Sequence, residues 1–258
     1  MADELHRDRG RAGSFGSVAE QYDRYRPGYP VALIDDLAAL RPATVLDVGC
    51  GTGKAAVALA GRGLAVLGVE PDERMAEVAR GHGVEVQVTA FEDYDAAGRT
   101  FDLVTCGEAW HWIDPVRGLA KATEVLAEGA TMALFWTSFT VSRPVVAALE
   151  SVYRRHAPDV TRVWGHHGTS RAQVPRAEVF ARSAAFSPVE VRAYPWERTL
   201  STDEWVGLAA TISDHQRLGP ERLTTLLQAL HTTIERLGGT IQSRHETYAV
   251  LARRLAPR

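Results

Sequence analysis

The stretch VLDVGCGTGKAAVALA, residues 45–60, constrains the fold more than any other part of the sequence. Three alternating glycines, Gly49, Gly51 and Gly53, follow a hydrophobic run and precede a segment of small residues. Glycine carries no side chain and adopts backbone angles that other residues avoid, so a glycine-rich turn can pass close to a ligand. Turns of this kind between a strand and a helix are typical of nucleotide-binding α/β proteins. The stretch therefore predicts a nucleotide-like ligand at the end of a buried strand.

Strand-like and helix-like segments alternate on both sides of this turn. The predicted strands are residues 44–48, 64–69, 84–88, 101–106, 130–136, 189–194 and 246–255. Helical patterns occupy most of the intervals between them, and this alternation is typical of a parallel sheet covered by helices. We therefore predict an α/β fold built on a doubly wound, mostly parallel seven-stranded sheet.

Two segments that lie outside this alternation suggest how the chain is divided. Residues 1–13 are polar and charged, and we predict a disordered tail there, followed by a single domain over residues 14–258. The alternation breaks after Trp136, and residues 138–185 combine a helical pattern with a long loop. Loops of that length inside a compact domain are commonly lids or binding loops, so we predict a helical lid insertion over 138–185.

Composition and charge argue against several partners. The 258 residues carry a net charge of −3, which gives no general attraction to nucleic acid. No apolar run approaches the ~20 residues of a membrane span, and the charged N-terminus does not look like a secretory signal. Cys50 and Cys106 are the two cysteines, and no Cys/His spacing suggests a metal site. We expect a cytoplasmic protein without a metal, a nucleic-acid partner or a membrane partner, in an oligomeric state that the sequence leaves open.

Two familiar phosphate-binding motifs do not fit the glycine turn. A Walker A loop would need glycine at Val48 and serine or threonine at Ala55, and a dinucleotide fingerprint would need glycine at Lys54. Glu70 ends the second predicted strand, where a carboxylate can accept hydrogen bonds from both hydroxyls of a ribose. Because NAD and other adenosine ligands share that ribose, Glu70 indicates an adenosine compound without deciding which.

Several motifs resemble one enzyme family, the class I S-adenosylmethionine-dependent methyltransferases. The glycine stretch looks like the first motif of that family, GVEPDERMAEVAR like the second, FDLVTCGEAWHWIDP like the fourth-strand motif, and EVLAEGATMALFW like the turn before the fifth strand. FGSVAEQYDRYRPGYP and EAWHWID resemble its small-molecule branch, which includes trans-aconitate methyltransferases. The resemblance covers roughly residues 14–137. It implies a Rossmann-like methyltransferase fold and S-adenosyl-L-methionine as the cofactor.

The same resemblance implies which residues contact the cofactor. Glu70 would hold the ribose, Pro71 or Met75 would pack on the adenine, and Asp47 would lie near the methionine end. The full set of implied contacts is Asp47, Gly49, Gly51, Gly53, Glu70, Pro71, Met75, Phe91, Glu92 and Glu108. Tyr22 and Arg26 could cap the cofactor, with Arg26 against its carboxylate; the alternative is a packed N-terminal helix with Arg26 in solvent.

The EAWHWID segment supplies the expected acceptor side of the site. Trp110 and Trp112 are predicted to form an aromatic wall of the substrate pocket, together with Trp164 from the lid. His111 is the candidate general base for a hydroxyl acceptor, since imidazole titrates near neutral pH. The alternatives are that the tryptophans fill the core and that His111 positions other groups or forms part of the pocket wall.

The implied reaction is in-line transfer of a methyl group to oxygen or carbon of a small-molecule acceptor in a desolvated pocket. Two other functions stay open at this point. An NAD-dependent oxidoreductase is opposed by Lys54 at the third-glycine position. A non-catalytic, cofactor-binding regulatory protein is not excluded by any sequence feature.

Overall fold

The computed structural model describes residues 5–160, 178–181 and 183–256, and these build one seven-stranded sheet. Its strands are β1 (Thr44–Val48), β2 (Ala65–Glu70), β3 (Glu85–Val88), β4 (Phe101–Gly107), β5 (Leu126–Val141), β6 (Glu190–Ser201) and β7 (Thr240–Arg253). Their order is β3-β2-β1-β4-β5-β7-β6, and only β7 runs antiparallel to its neighbours in the sheet so described. The predicted α/β fold with a mostly parallel seven-stranded sheet is confirmed.

Helices connect the strands and cover both faces of the sheet. They are α1 (Arg9–Ala12), α2 (Ala19–Tyr25), α3 (Val31–Ala38), α4 (Lys54–Ala60), α5 (Glu73–Gly81), α6 (Pro115–Val125), α7 (Arg143–His156), α8 (Glu178–Ala181), α9 (Thr202–Ala210), α10 (Ser213–Gln216) and α11 (Pro220–Arg236). Local sequence explains several helix starts. Asp72 caps α5 by accepting a hydrogen bond from the backbone N–H of Arg74. Asp114 caps α6, where Pro115 occupies the first helical turn.

Buried side chains divide into clusters on the two faces of the sheet and under the C-terminal helices. One face of the sheet packs against α6 and the turn at Trp110–Trp112, and the other packs against α3 and α4. A further cluster joins α7, α9 and α11 around Trp205, which is fully buried. The carboxyl ends of β1, β2 and β4 lie between these clusters, so the packing fixes the edge at which a ligand would bind.

Trp205 gives a direct test of the cluster under the C-terminal helices. Its ring is 0% exposed and meets Phe139 edge to face, with the ring centroids 6.0 Å apart. Because truncation leaves a large cavity, Trp205→Ala should lower the free energy of unfolding by about 3–5 kcal/mol, measured by urea denaturation. Val116→Ala, at a position 72% exposed, is the matched control and should change it by less than about 0.5 kcal/mol. A loss below about 1 kcal/mol for Trp205→Ala would contradict this packing.

The last three strands are longer than the sequence pattern predicts. The predicted segments 130–136, 189–194 and 246–255 correspond to parts of β5, β6 and β7. β5 and β7 pair from Thr131 to Val141, and β6 and β7 pair along the whole of β6. This antiparallel pairing supplies hydrogen-bond partners for backbone groups beyond the parallel part of the sheet. The strands therefore continue past the edge where β1 and β4 end.

The chain ends and the lid segment also differ from expectation. Residues 138–141 complete β5, and α7 packs into the cluster with α9 and α11, so the part of the predicted 138–185 insertion that is described is integrated into the domain. Trp164 lies outside the described residues. Within the predicted tail, Arg11 pairs with Asp214 at 2.7 Å and donates a hydrogen bond to Ser213, which ties that segment to α10.

Candidate functional site

The glycine turn lies at the carboxyl end of β1 and has the conformation that its sequence requires. Gly49, Gly51 and Gly53 have φ angles of +62°, +57° and +87°, which favour glycine. A Cβ atom on Gly49 would lie 2.5 Å from the Cβ of Ala109, in the segment after β4. Gly53 begins α4 and lets it approach Ala79 closely, so its role is in packing. The first two glycines leave room at the sheet edge.

Two adjoining cavities open along this edge. The first, named the Glu70 cavity, is lined by Phe15, Tyr22, Gly49, Gly51, Val69, Glu70, Pro71, Met75, Ala90, Phe91, Glu92, Gly107, Glu108, Ala109, Trp112 and Ile113. The second, named the His245 cavity, is lined by Tyr22, Arg26, Pro27, Gly28, Tyr29, Asp47, Gly49, Cys50, Gly51, Thr52, Lys54, Ala55, Gly107, Glu108, Thr137, Phe139, Leu208 and His245. Tyr22, two glycines of the turn and Glu108 line both cavities, so the two adjoin, and together they are called the cleft.

Glu70 ends β2 with its carboxylate buried beside the glycine turn. One oxygen accepts a hydrogen bond from the backbone N–H of Gly51 at 3.0 Å, and the other accepts from that of Asp72 at 3.1 Å. Burial raises the pKa of Glu70 to about 7, despite these two donors. Backbone donors thus hold the carboxylate in place, and its remaining lone pairs can accept hydrogen bonds from a ligand.

Asp47 is the second buried carboxylate of the cleft. Its Oδ1 accepts a hydrogen bond from the hydroxyl of Thr105 at 2.8 Å, whereas its Oδ2 is buried without a hydrogen-bond partner among the described residues. Desolvation raises the pKa of Asp47 to about 7. A buried acceptor without a partner is costly, and such groups are common where a ligand binds.

These raised pKa values predict an unusual dependence of stability on pH. A carboxyl with a higher pKa in the folded state binds more protons there than in the unfolded state, so its contribution to stability falls between about pH 4 and 7. Each unit of difference between the folded and unfolded pKa of Asp47 corresponds to about 1.4 kcal/mol in the free energy of unfolding. Asp47→Asn removes this titration, so the variant should become more stable relative to wild type as the pH rises from 5 to 8. Urea unfolding across this range measures the difference.

Wild type must be measured beside Asp47→Asn in that experiment, because buried imidazoles change the stability of the protein with pH in the opposite direction to buried carboxyls. Burial lowers the pKa values of His215 and His245, so their contributions to stability rise with pH. Both histidines are the same in the two proteins, and their effect cancels in the difference. A stability difference that stays constant from pH 5 to 8 would show that Asp47 titrates normally.

The structure brings most of the predicted cofactor residues together. Pro71, Met75, Phe91 and Glu92 line the Glu70 cavity, and the Glu92 carboxylate accepts a hydrogen bond from the backbone N–H of Asp114 at 2.9 Å. Glu108 lies where the two cavities meet, with φ at +57°, and accepts a hydrogen bond from the backbone N–H of Thr137. These positions form one wall along the carboxyl edge of the sheet.

Tyr22 and Arg26 cover the cleft from the N-terminal side. Tyr22 lines both cavities, and burial raises the pKa of its hydroxyl. The Arg26 guanidinium lies 5.1 Å from the centre of the Tyr22 ring and donates hydrogen bonds to the side chain and carbonyl of Thr211. Arg26 therefore lines the His245 cavity while it is anchored to the C-terminal helices.

The EAWHWID segment departs most from the predicted site. The turn at Trp110–Trp112 places the Trp110 ring in the core, with its centroid 6.4 Å from that of the Phe91 ring, and Trp110 lines neither cavity. This is the alternative in which a tryptophan fills the core. Trp112 does line the cleft, but in the Glu70 cavity, with its ring edge to face with Phe15. His111 packs against Trp112 and lines neither cavity.

Sequence reasoning missed the residues that form the far end of the His245 cavity. Tyr29, Thr137, Phe139, Leu208 and His245 all line it. A signal for His245 is present, since alternate residues Ile241, Ser243, His245 and Thr247 are all buried on one face of β7. Such alternation predicts a strand with polar groups turned inward. Within the described part of the chain, no cluster of His, Cys, Asp and Glu residues suits a metal ion, and no helix is long and apolar enough to span a membrane.

Comparison with known proteins relates the residues around this cleft to methyltransferases. Residues 46–134 match the sequence profile of a family described as a methyltransferase domain. An uncharacterised methyltransferase of Mycobacterium tuberculosis is 38% identical over 128 residues, which are 48% of this chain and 52% of that protein. A ubiquinone biosynthesis O-methyltransferase of Hahella chejuensis is 39% identical over 107 residues, 38% of this chain and 45% of that one. The chain thus matches about half the length of these curated relatives.

Solved structures support the same fold. A proposed type II methyltransferase from Anaeromyxobacter dehalogenans superposes with a TM-score of 0.65 and 24% identity, over 90% of this chain and all of that one. A phosphoethanolamine N-methyltransferase of Haemonchus contortus, solved with S-adenosylhomocysteine, gives a TM-score of 0.51 at 17% identity, over 93% of this chain and 58% of that one. At these identities the likeness concerns the fold alone.

Proposed function

We propose that this protein is a methyltransferase that transfers the methyl group of S-adenosylmethionine to a small-molecule acceptor. The observation that carries the proposal is the pair of adjoining cavities at the carboxyl ends of β1, β2 and β4, with the buried Glu70 carboxylate in one and Asp47 in the other. A ribose needs an acceptor such as Glu70. A methionine ammonium group would complement the unpartnered oxygen of Asp47.

The lining of the two cavities supports this choice of cofactor. Gly49 and Gly51 leave open the space beneath the ligand, and a Cβ on Gly49 would close it against Ala109. Pro71, Met75 and Phe91 give the Glu70 cavity apolar walls that suit an adenine ring. Glu92 lies at the rim of the same cavity, where a carboxylate can accept a hydrogen bond from an exocyclic amine.

The protein contributes to the reaction through position and exclusion of water. S-adenosylmethionine supplies an electrophilic methyl group when it is bound. Glu70 and Asp47 would fix the two ends of the cofactor, while Tyr22 and Arg26 cover it from above. Holding two reactants in line at ~3–3.5 Å in a dry pocket accounts for a large part of the rate of such a displacement. The aromatic and aliphatic wall of the His245 cavity would exclude water on the acceptor side.

The size and charge of the cleft favour a small acceptor. The His245 cavity is walled by Tyr29, Phe139 and Leu208 and combines two carboxylates with the cations Arg26 and Lys54. Lys54 itself donates a hydrogen bond to the carbonyl of Asp23 at 2.6 Å, which ties the N-terminal segment over the cleft. We infer an oxygen or carbon acceptor, as in the small-molecule branch that includes trans-aconitate methyltransferases.

A binding experiment distinguishes this proposal from an NAD-dependent oxidoreductase. S-adenosylhomocysteine should raise the thermal unfolding temperature of the full chain and bind with micromolar affinity by calorimetry, whereas NADH should do neither. Stabilisation by NADH alone would overturn the proposal. To separate an enzyme from a non-catalytic binder, formation of S-adenosylhomocysteine from S-adenosylmethionine is followed with a panel of acceptors.

A further inference from the structure

Three aromatic rings form a row across the strands that extend past the sheet edge. The register places Phe139 of β5 and Trp196 of β6 directly opposite His245 of β7. The Trp196 and His245 rings stack with centroids 4.0 Å apart, and those of Phe139 and His245 with centroids 5.2 Å apart. Because both faces of the imidazole are covered, its ring edges are left for polar contacts.

One edge of the imidazole is fixed by Ser243. The Nε2 atom of His245 lies 2.7 Å from the Ser243 hydroxyl, and that hydroxyl donates its proton to the carbonyl of Arg198 at 3.0 Å. A serine hydroxyl has a single proton to donate, so the Ser243 oxygen accepts a hydrogen bond from Nε2–H. With the Ser243 proton on the Arg198 carbonyl, the proton of the neutral ring is on Nε2 and Nδ1 carries the free lone pair.

Nothing in the described residues satisfies that lone pair. His245 is 6% exposed, and its Nδ1 is buried without a hydrogen-bond partner in the described part of the chain. Burial, together with the nearby Arg198 guanidinium, lowers the pKa of His245 to about 4, so the ring is neutral at physiological pH. His245 lines the His245 cavity, and a bound molecule that reached Nδ1 would meet a neutral acceptor without a hydrogen-bond partner among the described residues.

We propose that His245 accepts, through Nδ1, first the hydrogen bond and then the proton of a hydroxyl group on the methyl acceptor, and that the acceptor is a hydroxylated aromatic compound. This inference rests on the proposed function, since it concerns the acceptor half of the same cleft. It replaces His111, which lies outside the cleft, in the role of general base.

The step balances in atoms and charge. The hydroxyl oxygen attacks the methyl carbon, the new C–O bond forms, and the C–S bond breaks with its electron pair passing to sulfur as a neutral thioether. The hydroxyl proton passes to Nδ1, so one positive charge leaves sulfur and one appears on the imidazole. Asp47 and Glu108 line the same cavity and would stabilise that charge until the proton reaches solvent.

The cavity wall and the weak basicity of His245 both favour a phenol-type acceptor over an aliphatic alcohol. Tyr29, Phe139 and Leu208 present apolar surface on which a flat ring can pack. A desolvated imidazole takes a proton most readily from the more acidic hydroxyl, and aromatic hydroxyls have pKa values of about 10, far below those of aliphatic alcohols.

The tautomer can be tested without turnover. The full chain is labelled with ¹⁵N-histidine, and the signals of His245 are assigned by comparison with His245→Asn. We expect a protonated Nε2 and an unprotonated Nδ1, and addition of phenol in the presence of S-adenosylhomocysteine should shift the Nδ1 resonance upfield. A proton on Nδ1 in the free protein, or an Nδ1 resonance that phenol does not move, would overturn the proposal.

Turnover then tests the proton transfer and the acceptor class. The probes are phenol, catechol and 4-hydroxybenzoate, with benzyl alcohol and benzoate for comparison, and the methylated products are identified by mass spectrometry. We expect aryl methyl ethers from one or more of the three phenols. His245→Asn, whose amide can accept a hydrogen bond at the Nδ1 position but cannot take up a proton, should lower kcat about 10²–10⁴-fold with little change in KM.

Controls separate the failure of this inference from that of the proposed function. His231→Asn makes the same exchange at an exposed position on α11 and should turn over as the wild type does. His245→Asn should keep the wild-type affinity for S-adenosylhomocysteine within about twofold, which shows that it is folded. Methyl transfer only to benzoate or benzyl alcohol, no ether from any phenol, or a kcat of His245→Asn within threefold of wild type would each contradict the inference. Loss of S-adenosylhomocysteine binding by the wild type would instead contradict the proposed function.

Discussion

Replacement of Glu70 by alanine is expected to weaken S-adenosylhomocysteine binding about 100-fold or more, measured by calorimetry. The substitution removes both oxygens that would bind the two ribose hydroxyls, and each hydrogen bond to a charged group contributes about 1.5–3 kcal/mol. The fold should persist, because the Glu70 carboxylate is costly to bury and its raised pKa reflects that cost. The unfolding temperature of the ligand-free variant should therefore stay close to that of wild type.

Glu73→Ala is the matched control for this experiment. Glu73 lies three residues further along, is exposed in the first turn of α5, and pairs with Arg80 at the surface. Its removal should leave affinity for the cofactor product unchanged. Wild-type affinity in Glu70→Ala would show that the ribose binds elsewhere, and the assignment of the Glu70 cavity to adenosine would then fail.

Gly49→Ala should weaken cofactor binding and lower stability together. At φ of +62° a side chain costs about 1–2 kcal/mol, and the new Cβ would lie 2.5 Å from the Cβ of Ala109. Either the turn or the segment after β4 must move, and both line the cleft. We expect a loss of more than about 2 kcal/mol in the free energy of unfolding and at least a tenfold loss of affinity for S-adenosylhomocysteine.

Gly63→Ala separates backbone strain from steric conflict. Gly63 also has a positive φ, at +82°, but a Cβ there would meet no atom within 4 Å. This variant should lose about 1 kcal/mol of stability and keep its affinity. Equal effects for the two variants would mean that the close contact at Ala109 is relieved without cost.

The residues of the Glu70 cavity could be predicted from sequence because their determinants are local. The glycine turn follows β1, Glu70 is the last residue of β2, and Phe91 lies three residues after β3, and parallel strands bring their carboxyl ends to one edge. Such residues are placed by their own element and need no knowledge of distant pairing. The sheet itself was predictable for the same reason, through alternation of strand and helix patterns.

The His245 cavity could not be predicted in this way, because it depends on contacts between distant parts of the chain. His245 reaches the cleft only because β7 pairs with β5, more than a hundred residues earlier, and extends past the parallel strands. Trp110 shows that even a residue that closely follows a strand can be placed differently from what its position in the sequence suggests. Its position after β4 suggested a pocket wall, but one short turn directs it into the core and leaves Trp112 at the cleft. Local sequence does not specify such a choice between neighbouring side chains.

The aromatic row of Phe139, His245 and Trp196 lies on β5, β7 and β6, and the pairing between these strands fixes their backbone. Each of these positions can therefore be exchanged for another residue with little change in the main chain, and the glycine turn after β1 is left unchanged. A combinatorial library restricted to residues 137, 139, 196 and 245 should change which acceptors are methylated while cofactor affinity is retained. An inserted residue in β7 would have a different result, because it would turn His245 to the opposite face of the sheet.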